Sequence, residues 1–224
     1  MKFTKINELM KSNIYVKYKI DVSTSQDFDS IYYDEKGIAF GQYGTTHSTT
    51  LFTHMALLRT FFDVLPKGEF LDLGSGVGNI LIYASNQGWK AIGIEFSKGC
   101  IKGSIKNIAL AKEKGYDVSK IQLRNENFFP LKFKIEKMLN NSNEDDFRVD
   151  LEKIKVKHTS YNFFADLWYH YQVERRQNIL NLFSEFAKQN ALLIFVQTKD
   201  DSFVIPNDII LLDNYEGMFI YKKI

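Results

Sequence analysis

Apolar and polar positions follow two rhythms along the chain. Short apolar runs at Phe70–Leu73, Trp89–Ile94, Lys120–Leu123, Tyr161–Leu167 and Ala191–Gln197 have the length and composition of buried strands. Between them lie stretches with apolar residues every three or four positions. These predict helices starting at Ile80–Ser85, over Ser97–Lys114 with Gly115 as its stop, and over Gln172–Gln189. Ile209–Leu212 and Met218–Lys222, around Asn214–Gly217, predict a closing strand pair. Strands alternating with helices predict an α/β domain with a doubly wound, mostly parallel sheet.

The chain before this core is less regular. Met1–Lys11 has apolar residues on one helical side, and Ile14–Val22 alternates like a half-exposed strand. Residues 1–42 are expected to form a lead-in or cap, and 43–224 the main domain. Tyr43-Gly44-Thr45-Thr46-His47 is a small-residue loop before a helix over Leu51–Leu65, which Pro66-Lys67-Gly68 ends. Residues 131–160 are longer than an ordinary connection, with a polar run at Asn140–Asp146, and are expected to be an insertion.

Composition narrows the class. The 224 residues are 45% apolar with a formal net charge of +2, values that suit a globular protein with a substantial core and argue against a general nucleic-acid binder. A single cysteine, Cys100, permits no internal disulfide, which suits a reducing compartment. No apolar run has the length of a membrane span, and the N-terminus lacks a signal-peptide core. The expectation is a cytoplasmic protein with no membrane partner.

The chemistry centres on Asp72-Leu73-Gly74-Ser75-Gly76-Val77-Gly78-Asn79. Glycines at this spacing let the backbone turn sharply and lie close to a ligand. The helix that follows presents free amides, and Glu95 ends the next strand, where a carboxylate can accept hydrogen bonds from two ribose hydroxyls. Dinucleotide-binding enzymes place their third glycine one residue later and lack the preceding acid.

At these residues the sequence resembles the class I S-adenosylmethionine (SAM) methyltransferases. Their first motif is an acid followed by G-x-G-x-G, and their second is an acid ending the next strand. The resemblance covers roughly residues 43–224. It implies a Rossmann-like seven-stranded sheet with an antiparallel last strand, and SAM as cofactor. It further implies that Asp72, Gly74, Ser75, Gly76, Gly78 and Asn79 surround the methionine end and that Glu95 binds the ribose. Phe96, Asn127 and Phe128 would then line the adenine. Asp166, at the expected end of the fourth strand, and His170 and His47 as bases are candidate catalytic residues. No metal site is expected.

Tyr43, Gly44 and Thr46, with Asp72–Gly78, also resemble the non-SET histone-lysine methyltransferases, whose loop would touch the cofactor. Thr45 stands where that subgroup has an acid, and Asp166-Leu167-Trp168 where it has an Asn-Asn-Phe-type stretch. The expected function is methyl transfer to an O or N nucleophile of a small molecule or glycan. The alternatives are a protein lysine as acceptor, a SAM-binding regulator without turnover, and, outside this class, nicotinamide dependence. The sequence names neither the acceptor nor the oligomeric state.

Overall fold

The computed structural model describes residues 58, 61–63, 65–133, 157–171, 176–197, 202–215 and 217–224. Seven strands form one sheet: β1 Glu69–Leu73, β2 Lys90–Glu95, β3 Ile121–Asn125, β4 Leu167–Tyr171, β5 Leu192–Val196, β6 Ile209–Tyr215 and β7 Met218–Lys223. Their order is β3-β2-β1-β4-β5-β7-β6. Pairs from β3 to β5 are parallel, and β7 runs antiparallel to both β5 and β6. The carboxyl ends of the first five strands therefore open on one edge, and the order reverses between β1 and β4. That reversal point is where such sheets bind ligands.

Successive strand residues face opposite sides. Phe70, Ala91, Leu167, Tyr169 and Ile194 pack on one side with Leu81 and Ala84 of helix α1 (Asn79–Asn86) and with Phe61 and Phe62. Leu71, Ile92, Trp168 and Phe195 pack on the other with Ile179 and Phe183 of helix α3 (Arg176–Phe186). Both faces are covered, so the central strands are mostly apolar, with Asp72, Glu95 and His170 as buried exceptions. Helix α2 (Lys98–Glu113) begins at Ser97, whose hydroxyl accepts the Cys100 N–H at 3.3 Å, and the chain leaves it through Gly115 at φ 86°.

The fourth strand corrects the sequence reading. Tyr161–Leu167 was the expected strand, yet pairing begins only at Leu167 and runs to Tyr171. Phe163 has φ 54°, which breaks an extended run, and Phe164 is 65% exposed. The alternating burial of Phe163 and Ala165 reflects packing beneath the sheet and not pairing within it. The aromatic run Leu167-Trp168-Tyr169-His170-Tyr171 is the strand instead, because aromatic side chains fit a pleated surface buried on both sides.

The predicted loop at Tyr43, Gly44, Thr46 and His47 lies outside the described residues, as do the segment 1–42 and most of the 131–160 insertion.

Candidate cofactor site

Beyond Leu73, the last residue of β1, the chain bends toward β2. The Gly74 N–H donates to the Ile94 carbonyl at 2.9 Å and the Ser75 N–H to the same oxygen at 3.3 Å. Gly74, Gly76 and Gly78 have φ of 78°, 54° and 80°, so the bend needs glycine at each. A methyl at Gly78 would also press on Ser104, with its Oγ at 3.1 Å.

Glu95 grips this bend. Its Oε2 accepts the Gly76 N–H at 3.0 Å, and its Oε1 accepts the Ser97 N–H at 2.8 Å. The carboxylate keeps lone-pair capacity for a hydroxyl donor. Helix α2 holds the bend from outside: Ser104 Oγ donates to the Gly76 carbonyl at 2.9 Å, and Asn107 Nδ2 to the Val77 carbonyl at 3.0 Å. Asn125 Nδ2 donates to the carbonyls of Glu95 at 3.0 Å and Phe96 at 2.9 Å, fixing the end of β2.

Asp72 and Glu95 lie on the same sheet face, since Asp72 pairs in register with Gly93, two residues before Glu95. Both acids are buried, and among the described residues no cation pairs with either. No described residue donates a hydrogen bond to the Asp72 carboxylate. Burial, then the neighbouring Glu95 charge, pushes the Asp72 pKa up to about 8. Burial likewise pushes Glu95 up to about 7, against the pull of the Ser97, Gly76 and Phe96 N–H groups. Such a site suits a ligand that brings positive charge and hydroxyl donors. A sulfonium nucleoside with an amino-acid ammonium brings both, so the residues present fit SAM.

The remaining predicted residues divide. Ser75 is buried, Asn79 opens α1, and Phe96 is half-buried beside Glu95. Asn127 is buried, and its Oδ1 accepts the Phe129 N–H at 3.0 Å, so the oxygen expected to meet adenine closes a local turn. Phe128 is only 1% exposed, packed against Phe129 and His170 in the core, and offers no wall to a ligand.

Asp166 is not at the carboxyl end of β4. It precedes that strand at the opposite edge, where its N–H donates to the Glu69 carbonyl and its Oδ2 accepts the Glu69 N–H at 2.9 Å. Its Oδ1 pairs with Lys188 at 2.5 Å. Asp166 therefore stands at the sheet edge opposite the glycine bend. His170 lies near the carboxyl end of β4 but is fully buried between Phe128 and Phe195, on the face opposite Asp72. Burial lowers its pKa to about 4, which makes the ring a weak base.

Ser104, Asn107, Asn125 and Gly93 were not singled out from sequence. A methyl on Gly93 would sit 2.4 Å from Leu81 Cδ1 and 2.6 Å from Ser75 Oγ, so the bend rests directly on this residue. A lone glycine inside an apolar strand is a legible sign of such close approach.

This topology is the Rossmann-like α/β fold that the sequence resemblance implies, and a solved structure shares it. The Escherichia coli protein yhhF, described as a methyltransferase, superposes with a TM-score of 0.51 at 14% identity, covering 80% of this chain and 89% of its own. An RNA methyltransferase from Salinibacter ruber, solved with S-adenosyl-L-homocysteine, gives 0.43 at 19% identity, covering 80% and 91%. A Haemophilus influenzae protein described as a methylase gives 0.48 at 16%, covering 76% and 95%. The yhhF likeness, at this identity, shows the fold and nothing finer. No family model matches the chain, and no curated protein matches it in sequence. Among the described residues, no helix is long and apolar enough to cross a membrane, and no cluster could hold a metal ion.

Proposed function

We propose that this chain transfers a methyl group from SAM to an oxygen or nitrogen nucleophile of a small molecule or glycan. The observation that carries the reading is the pair of buried acids Asp72 and Glu95, set against the glycine bend with no cation paired to either among the described residues. SAM, when bound, supplies an electrophilic methyl on a sulfonium.

The chain's own residues supply binding and alignment. Gly74, Gly76 and Gly78 leave the backbone open, and the free lone pairs of Glu95 accept the ribose hydroxyls. Asp72 complements the positive charge, and half-buried Phe96 offers a ring edge for adenine. Alignment alone is a large part of such a transfer, so an acceptor that arrives deprotonated needs no base. The balanced charge supports a compact acceptor. A protein lysine is the alternative supported by Tyr43-Gly44 and Asp72–Gly78.

The test is transfer of tritiated methyl from SAM into separate metabolite, glycan and peptide pools. Label in the metabolite or glycan pool supports the reading, and label only in peptide moves the acceptor to lysine. Tight SAM binding with no transfer to any pool, cell extract included, overturns catalysis and leaves a regulator.

A further inference from the structure

We propose that His170 is a positioning residue for the cofactor bend, tying the last carbonyl of β1 to β4. Its Nδ1 lies 2.8 Å from the Leu73 carbonyl oxygen. A carbonyl only accepts, so Nδ1 carries the proton and Nε2 is a bare acceptor. Leu73 immediately precedes the bend, and the next residue, Gly74, donates to Ile94 of β2. The start of the bend is therefore anchored on both sides, by a main-chain bond to β2 and by an imidazole from β4.

The surroundings favour a fixed, uncharged ring. His170 is fully buried, with the Phe128 and Phe195 ring centroids at 5.6 and 5.5 Å. Among the described residues, Nε2 has no hydrogen-bond partner. A leucine or phenylalanine here would avoid burying a bare nitrogen, so a histidine is worth its cost only through what Nδ1 does. Burial also keeps the ring neutral across the physiological range, so the tether does not switch with pH.

The proposal rests on the methyl-transfer reading only where cofactor affinity is the readout. Two variants compared with wild type decide it: His170→Asn, whose amide NH2 can still reach the Leu73 carbonyl, and His170→Phe, which has no donor. Amide hydrogen exchange at Gly74 and Ser75 is measured without cofactor, and SAM affinity by calorimetry. His170→Phe is expected to speed exchange at both amides at least tenfold and to weaken SAM at least tenfold. His170→Asn is expected to stay within threefold of wild type on both.

Nitrogen NMR of the wild-type ring is expected to show one neutral tautomer, protonated at Nδ1, from about pH 5.5 to about pH 8. The proposal is overturned if His170→Asn is no better than His170→Phe, if His170→Phe behaves as wild type, or if the ring titrates near its ordinary value. Should His170→Phe not fold, the Asn variant and the ring spectrum still decide. Should wild type not bind SAM, the exchange data test the tether while the methyl-transfer reading fails separately.

Discussion

The Gly76 N–H and the Glu95 Oε2 are 3.0 Å apart, which joins the bend after β1 to the acid that ends β2. The two residues are 19 apart in the chain, yet one hydrogen bond makes them a single binding element. The bond both shapes the backbone and turns the carboxylate away from bulk water. Glu95 is 5% exposed as a result, although it stands at a strand end.

Gly93→Ala is expected to destabilise the fold and loosen the bend. The added methyl meets Leu81 and Ser75 well inside contact distance, and neither strand nor helix can withdraw freely. Overpacking of this kind costs about 1–3 kcal/mol. A denaturant midpoint measured beside wild type checks it, with an unchanged midpoint counting against the packing described.

Asn107→Ala strips the Val77 carbonyl of its side-chain donor in a buried position. A buried acceptor left without its partner costs about 1–3 kcal/mol. The thermal midpoint is expected to fall accordingly, and SAM affinity with it, because the carbonyl belongs to the bend.

Asp72 sets a pH dependence whose sign is fixed by its raised pKa. The folded chain keeps this proton up to about pH 8, whereas the unfolded chain loses it near the ordinary 3.8. The group's contribution to stability is complete below the unfolded value and is lost as pH rises through the folded one. At neutral pH the loss is on the order of 4 kcal/mol. Asp72→Asn, which cannot ionise, is expected to flatten the fall in thermal midpoint between about pH 5 and about pH 8. In wild type, SAM affinity is expected to weaken as pH falls from about 8 to about 6, as protons on Asp72 and Glu95 take the place of the ligand's charge, and the Asn variant is expected to keep only the part that Glu95 contributes.

Much of this was legible in the sequence. The Phe70–Leu73 run, the glycine spacing and Glu95 placed the bend and its acid because these are local signals: an apolar run, a turn that only glycine allows, a charge where a strand stops. The α2 boundaries followed from Ser97 and Gly115 for the same reason. The fourth strand was misread because Tyr161, Phe163 and Ala165 alternate like a strand while packing beneath the sheet. With that shift Asp166 moved to the wrong edge, because the strand itself is Leu167–Tyr171. Ser104, Asn107 and Asn125 act on backbone groups 28 to 30 residues away, and no spacing rule reveals such partners.

Calorimetric titration of wild type and Glu95→Ala with SAM, S-adenosylhomocysteine and NAD tests the central claim most directly. Wild type is expected to bind SAM and its demethylated product but not NAD, and Glu95→Ala to bind SAM at least tenfold more weakly. NAD as the only ligand, or SAM bound equally well without the Glu95 carboxylate, would contradict the account.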